Sequence, residues 1–238
     1  MATETKTRTG WGDYLIQVSL IILSILVALG VDRCSQNSRN NKRLDAYLKM
    51  MEQEFEDEMY FTSNNIDDAQ KDIDNLQFGM QAFPQGIDSL TTKALMRGIA
   101  TFNRGVFRGF PPMTYERMEA VNDAFLIKDL SLREQLSSTA AFRTDYVQAD
   151  LANYDAMILE AIDRFSRYVD VGCLIRNIRS GTGVPLDCVT DADALRRYGA
   201  ADFSKLLYLA QIRKFHLERY QQSIENSKEA LGGSLGGR

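Results

Sequence analysis

The chain has very little histidine, and this scarcity argues against most catalytic and metal-binding chemistry. Of 238 residues only His216 is a histidine, and three are cysteines. A nucleophilic triad needs a base that is usually histidine, and a tetrahedral zinc site needs four closely placed nitrogen or sulfur ligands. We expect His216, in the run IRKFHLERY of the last helix, to be a residue at the protein surface or at the boundary between surface and core. The sequence predicts no catalytic residue, no metal ligand and no cofactor.

The sequence also lacks phosphate-binding motifs and an excess of positive charge. It contains no G-x-S-x-G, H-E-x-x-H, Walker or dinucleotide glycine pattern. The net charge is −4, whereas binding to duplex nucleic acid usually requires a basic face. We therefore expect a protein that is not an enzyme and has no nucleic acid partner.

One acidic run needs a separate interpretation because helical bundles can hold di-iron carboxylate sites. Such sites use Glu-x-x-His pairs, and no histidine accompanies these glutamates. We expect the run to form a solvated helix face. Its members are Glu52, Glu54, Glu56, Asp57 and Glu58.

A single long apolar run, residues 14–31 (YLIQVSLIILSILVALGV), is the most informative feature of the chain. At about 1.5 Å per residue it spans roughly 27 Å, close to the hydrocarbon thickness of a membrane. Trp11 and Tyr14 stand where an interfacial aromatic belt would lie. The sequence predicts a short tail over residues 1–13 and a transmembrane anchor over 14–31.

A cleaved secretory signal is the alternative interpretation of this run. Lys6 and Arg8 would form its basic region, and Ala28-Leu29-Gly30 resembles a small-residue cleavage site. We favour the anchor because the run is longer than the roughly 7–15 apolar residues of a typical signal.

Three residues of the anchor share one stripe. Gln17, Ser24 and Ala28 are separated by seven and four positions, which places them on one side of a helix. Small and polar residues allow transmembrane helices to approach closely. The stripe predicts contact with another transmembrane helix, either of an integral membrane protein subunit or of a second copy. A lone glutamine tolerated near the interface is the alternative.

Two features of the sequence indicate opposite orientations of the chain in the membrane. Five cations in residues 33–49 outnumber the two that precede the anchor, which favours a cytoplasmic C-terminal region. Cys173 and Cys188 instead bracket a loop of about fifteen residues and could close a disulfide, which persists only in an oxidising compartment. Two unpaired thiols in the cytosol remain the alternative.

Helical periodicity dominates the rest of the chain, and the alternation typical of strands is nearly absent. We expect an all-α fold in which residues 32–231 form one antiparallel bundle of three long helices joined by shorter ones. The long helices are predicted from Lys42 to about Phe83, ended by Pro84 and Gly86, from Ser131 to about Val169, and from Asp202 to Leu231. Residues 232–238 are expected to be a disordered tail.

Local sequence signals indicate where helices begin and which residues are buried. Thr114 is the expected N-cap of one short helix, and Ser131 to Glu134 and Thr190 to Asp193 read as capping boxes. The predicted core stripes include Phe142, Tyr146 and Tyr154 in the second long helix and Phe203, Phe215 and Tyr220 in the last.

Three segments together resemble a known group of proteins: LIQVSLIILSILVALGVDR, QNSRNNKRLDAYLKMMEQEF and TYERMEAVNDAFLIKDLSLREQL. They are similar to a widespread family of uncharacterised single-pass bacterial membrane proteins. In that family an Asn-Trp-Asn turn follows the anchor and a glycine step interrupts the later block. Here Arg33-Cys34-Ser35 and Asn122-Asp123 occupy those places. The resemblance implies a helical region outside the cytoplasm and no assigned activity.

These observations lead to two hypotheses. In the first, the chain is a non-enzymatic accessory or scaffold subunit of a larger complex in the bacterial inner membrane, with a periplasmic helical domain. In the second, the helical domain is a periplasmic sensor of a small ligand. Only about thirteen residues precede the anchor, which is too few for a signalling domain. A sensor would therefore have to signal through a partner protein.

Overall fold

The computed structural model describes residues 11–86, 88–102, 109–180 and 185–236. These residues are mainly helical, and a π-helical segment, Arg143–Gln148, joins the fourth helix to the fifth. The α-helices are α1 Trp11–Ala82, α2 Ser89–Phe102, α3 Thr114–Ala120, α4 Leu130–Phe142, α5 Ala149–Phe165, α6 Val171–Ser180 and α7 Ala192–Gly236. Within the described ranges no strand forms, and Val169 and Val189 make one isolated antiparallel bridge. The all-α prediction is confirmed.

The chain divides into two compact units. The first ends at Lys49 and the second begins at Met50. The first unit contains the apolar run, and the second contains the other helices. The division falls within α1.

Helix α1 continues past the apolar run because residues 32–41 contain neither proline nor glycine. It ends at Ala82, and a 3-10 turn over Phe83–Gln85 follows. Pro84 lacks the amide that would continue the helical hydrogen bonds, and Gly86 adopts a φ of 131° that favours glycine. The predicted stop signals are confirmed.

The predicted helix starts are wrong by one or two residues. Asp129, not Ser131, caps α4, because its Oδ1 accepts hydrogen bonds from the amides of Ser131 and Leu132 at 2.9 and 3.2 Å. Met113 is the N-cap of α3, and Thr114 is its first helical residue. Asp129 caps α4 with its own carboxylate, whereas at the start of α3 the Glu116 carboxylate accepts a hydrogen bond from the Met113 amide.

The last helix is longer than predicted at both ends. Asp191 caps it, since its Oδ1 accepts from the amide of Ala194 at 2.9 Å. Helix α7 then runs without a break from Ala192 to Gly236, so the separate short helix expected before Asp202 does not exist. Residues 232–236, assigned to a disordered tail, belong to this helix, and residues 237 and 238 lie outside the described part.

The core of the second unit centres on an aromatic cluster. The rings of Phe83, Phe102 and Phe165 surround Phe203 with centroid distances between 5.1 and 5.9 Å. Gly79 of α1 and Gly98 of α2 lie against the Phe203 ring, where a β-carbon would overlap it. Other buried members of this core are Ile73, Leu76, Leu95, Tyr154, Ile158, Tyr168, Val169, Leu195 and Leu206.

The π-helical segment buries two residues that the predicted core stripe did not include. Upstream and downstream of it the predicted stripe is buried, as at Leu136 and Leu151. Within it Arg143 and Val147 are buried, while the predicted Tyr146 is 49% exposed, and Phe142, the last residue of α4, is half-buried. The buried positions keep steps of three and four through the segment, so the inward face is continuous and the two aromatic residues lie beside it.

Candidate functional site

The apolar run presents a continuous exposed surface on α1. The described part of the chain has one helix long and apolar enough to cross a membrane, and no part of its apolar window is buried within the protein. Trp11 and Tyr14 at its start are 85% and 66% exposed. Exposed apolar surface of this extent requires a cover, and its length matches a bilayer.

The three stripe residues are exposed on this helix. Gln17, Ser24 and Ala28 lie on one side of α1, as their spacing requires. The Ser24 hydroxyl donates to the carbonyl oxygen of Leu20 at 2.7 Å, so this polar group is satisfied within the helix. Gln17 is the stripe member whose amide can bond a neighbouring transmembrane helix.

Cys173 and Cys188 form a disulfide with a Cα separation of 5.6 Å. The Asn177 side chain donates to the Cys188 sulfur at 3.2 Å. Beside the bond, the amide of Asp170 donates to the Cys188 carbonyl oxygen, and the amide of Thr190 donates to that of Tyr168. The disulfide therefore fixes both ends of a segment that includes α6. Cys34, the remaining cysteine, is exposed.

A first buried ionic cluster joins α1, the π-helical segment and α7. Nη2 of Arg143 donates to Oε1 of Glu58 at 2.5 Å, and the Tyr220 hydroxyl donates to Oε2 of the same carboxylate at 3.0 Å. Nη1 of Arg143 donates to the carbonyl oxygen of Pro111, and its guanidinium lies 4.2 Å from the ring centroid of Phe110. Burial, with the Glu58 charge, raises the pKa of Tyr220 well above its usual range, so the phenol stays protonated.

A second buried ionic cluster again combines a carboxylate, an arginine and a tyrosine, with aspartate in place of glutamate. Asp72 of α1 accepts from the Tyr154 hydroxyl at 3.1 Å and from Nη1 of Arg213 at 3.5 Å. The Arg213 guanidinium also lies 5.0 Å from the Tyr154 ring centroid and reaches Asn65. In both clusters α1 supplies the carboxylate. Helix α7 supplies the tyrosine, Tyr220, in the first cluster and the arginine, Arg213, in the second.

Glu54 lies one helical turn before Glu58 and anchors α3. Its carboxylate accepts from the Thr114 amide at 2.9 and 3.1 Å, and Nη2 of Arg117 lies 3.8 Å away. Burial raises the pKa of Glu54, although the Thr114 hydrogen bonds and the Arg117 charge oppose that effect. The acidic run is therefore not a uniformly solvated face, since Glu58 is buried and Glu54 is half-buried.

Periodicity did not reveal these inward charges because charged residues were assigned to the solvent side. The available signal was spacing, since Glu58 and Asp72 fall on the same stripe as the buried residues Phe55, Ala69 and Leu76. His216 is half-buried in the middle of α7, at the boundary between core and surface, where its Nδ1 contacts the Asp150 carboxylate.

An open groove lies between α5 and α7. It has a volume of about 660 Å³ and mixes apolar walls with hydroxyl, amide and ammonium groups. Tyr208 is 63% exposed beside it. The lining residues are Asn153, Ala156, Met157, Ser204, Lys205, Tyr208 and Leu209.

Among the described residues, no group of three or more histidine, cysteine, aspartate or glutamate side chains is placed to hold a metal ion. In both ionic clusters the buried carboxylate accepts hydrogen bonds from an arginine and a tyrosine of this same chain, and these bonds link helices to one another. Among the described residues, the apolar surface of α1, with its stripe, and the α5–α7 groove are exposed surfaces to which another molecule can bind. Comparison with models of protein families, with curated proteins and with solved structures gave no match.

Proposed function

We propose that this chain is a membrane-anchored, non-enzymatic accessory subunit that docks on a larger complex of the bacterial inner membrane. The observation that carries the proposal is the fully exposed apolar surface of α1. Lipid covers most of this surface, and the stripe of Gln17, Ser24 and Ala28 is the part suited to a protein neighbour. A single helix with one polar stripe anchors a chain and offers one contact face.

We also propose that the helical domain lies in the periplasm. The support is the disulfide between Cys173 and Cys188, because such bonds persist in an oxidising compartment and are rare in the cytosol. The five cations after the apolar run favour the opposite side. Labelling with a membrane-impermeant maleimide of Cys34, the exposed cysteine, in intact cells and in lysed cells tests the orientation.

The proposed domain is a bundle of three long helical stretches: the later part of α1, the α4–α5 stretch and α7. The two ionic clusters support a direction for each. Along α1, position 58 pairs with 143 and 220, and position 72 pairs with 154 and 213. The α4–α5 stretch would then run parallel to α1, and α7 would run antiparallel to both.

The test of the subunit proposal is extraction of native membranes in a mild detergent, followed by native gel separation and identification of co-migrating chains. We expect co-migration with a defined large complex at fixed stoichiometry. Migration alone or as a small homo-oligomer would contradict the proposal.

The stripe is tested by replacing Gln17, Ser24 and Ala28 with leucine together. This variant keeps the anchor apolar but adds bulk to the contact face, so we expect it to separate from the complex. Ser19→Leu with Gly30→Leu is the matched control, because these small residues lie about 140–160° around the helix from the centre of the stripe. Loss of co-migration in both variants would show that the contact is not specific to the stripe.

The α5–α7 groove favours a second candidate function, a sensor of a small ligand that signals through a partner. Its apolar walls and few polar groups are typical of ligand sites. Ala156→Trp would fill the groove from α5. If the groove binds a ligand, this variant should lose a thermal shift that the native chain shows in a small-molecule screen.

A further inference from the structure

The residues immediately after the apolar run have an asymmetric charge. Between positions 33 and 43 the chain carries four cations and no acidic residue, and the intervening side chains are cysteine, serine, glutamine and asparagine. We call residues 33–43 the basic segment. It lies entirely within α1 and within the first unit. Its cations are Arg33, Arg39, Lys42 and Arg43.

The cations of the basic segment are exposed, and three of them share one side of the helix. At about 100° per residue, Arg39, Lys42 and Arg43 fall within a sector roughly 100° wide. This sector is turned away from the side on which Leu44 and Leu48 are buried. Asp32, the acidic residue that precedes the segment, accepts a hydrogen bond from the side-chain amide of Gln36 at 3.1 Å.

The height of these cations above the apolar run suits the headgroup region. At about 1.5 Å per residue, Arg33 lies about 3 Å, Arg39 about 12 Å and Lys42 about 16 Å beyond Val31 along the axis. Helical side chains lean toward the helix N-terminus, which here is the end that carries the apolar run. The headgroup layer is roughly 5–8 Å thick, and the field of anionic lipids extends about 8 Å farther.

We propose that the basic segment binds the headgroups of anionic phospholipids around the anchor, through Arg33, Arg39 and Lys42. This inference rests on the proposed membrane insertion of residues 14–31. Guanidinium and ammonium groups suit phosphate oxygens, and a run without acids avoids repulsion from the lipid charge. The acidic residues of α1 resume at Asp45 and become dense from Glu52, beyond the reach of the headgroups.

The test compares lipids in contact with the full chain reconstituted in phosphatidylcholine vesicles. Spin-labelled phosphatidylglycerol or spin-labelled phosphatidylcholine is added as a probe, and electron paramagnetic resonance gives the immobilised fraction of each. We expect phosphatidylglycerol to associate about fivefold more strongly at low salt, with the preference falling toward equality at high salt. Equal association at low salt would overturn the proposal.

The variant Arg33→Gln with Arg39→Gln and Lys42→Gln should lower the preference to near equality. The matched control is Lys93→Gln with Arg197→Gln and Arg219→Gln, which removes three exposed cations from α2 and α7. It should keep the native preference, and an equal loss in both variants would indicate a net-charge effect and overturn the assignment to the basic segment.

An alkaline carbonate wash of the vesicles separates this inference from the proposed function. Release of the native chain would overturn membrane insertion and this inference with it. Retention of the chain together with equal lipid association would overturn this inference alone.

Discussion

Arg143 and Glu58 form an ion pair with an N–O distance of 2.5 Å although 85 positions separate them in the sequence. The exposed fractions of the two side chains are only 4% and 11%. Water therefore cannot stabilise either charge if its partner is removed. The pair also joins the π-helical segment to α1, which couples an irregular turn to the longest helix.

Removal of the cation alone should be the most damaging change in this cluster. Arg143→Met leaves the Glu58 carboxylate buried without a cation, and we expect the free energy of unfolding to fall by about 3–5 kcal/mol. Denaturant unfolding of the full chain in detergent, followed by far-UV circular dichroism, measures the loss. The exposed Arg167→Met is the control and should change little.

A double variant separates loss of the ion pair from loss of packing. Glu58→Gln combined with Arg143→Met removes both charges, so it should be more stable than Arg143→Met alone. If the double variant is less stable than Arg143→Met alone, the buried charge of Glu58 does not depend on Arg143 for its stabilisation.

The all-helical fold could be predicted from periodicity, but the interior ionic clusters could not. Tyr154, Phe203 and Tyr220 were assigned correctly to the core because apolar spacing fixes their side of the helix. Arg143 and Arg213 were missed because a charged residue is assigned outward unless its partner is known. Each partner lies on a helix distant in sequence, and no local pattern indicates that pairing.

One further difference between prediction and structure has the same physical origin. Phe215 was predicted on the core face of α7 but is 52% exposed. The buried positions of α7 alternate in steps of three and four through Leu206, Ala210, Arg213 and Leu217. Because Arg213 was assigned to the solvent side, the prediction placed Phe215, from the neighbouring stripe, in the core instead.

The disulfide should contribute to the stability of the helical domain. A loop of this length predicts a loss of about 3 kcal/mol on reduction or in Cys173→Ala with Cys188→Ala. Thermal unfolding with and without a reductant measures it. The melting temperature of the native chain and of Cys34→Ser should fall on reduction, while that of the double variant should be unaffected. An unchanged native melting temperature on reduction would contradict the stabilising role of the bond.

Replacement of Asn122 with alanine should change stability in the opposite direction from the same replacement at a helical asparagine. Its φ of 59° is left-handed, at the end of α3. Asn122→Ala should therefore cost about 1 kcal/mol, and Asn122→Gly should be neutral or stabilising. Asn64→Ala, at an exposed helical position, should stabilise by several tenths of a kcal/mol. Two alanine variants with the same sign, measured by denaturant unfolding, would contradict this account.

Gly79 should be intolerant of even one added methyl group. A β-carbon there would overlap the Phe203 ring, which the surrounding aromatic core holds in place. We expect Gly79→Ala to lower the free energy of unfolding by about 1–3 kcal/mol despite its better helix propensity. Gly232→Ala in α7, where nothing lies within 4 Å, is the matched control and should be neutral or stabilising. Equal effects in thermal unfolding would show that the Phe203 ring can move aside.

The carboxylate of Glu54 should make stability depend on pH in a defined direction. Burial raises its pKa in the folded protein above the value of 4.5 for a free side chain, so the folded state binds the proton more tightly than the unfolded chain. This contribution to stability is largest below the unfolded pKa. It is lost as the pH rises through the raised folded pKa.

Glu54→Gln removes that dependence while keeping an oxygen that can accept from the Thr114 amide. We therefore expect the variant to be more stable than the native chain at neutral pH, with the difference shrinking as the pH falls toward 4.5. Thermal unfolding between pH 4 and 8 measures the difference. Glu52→Gln, an exposed carboxylate on the same helix, is the control and should show no such trend. A Glu54→Gln difference that grows as the pH falls would mean that the Thr114 amide and Arg117 stabilise the charged form more than burial penalises it.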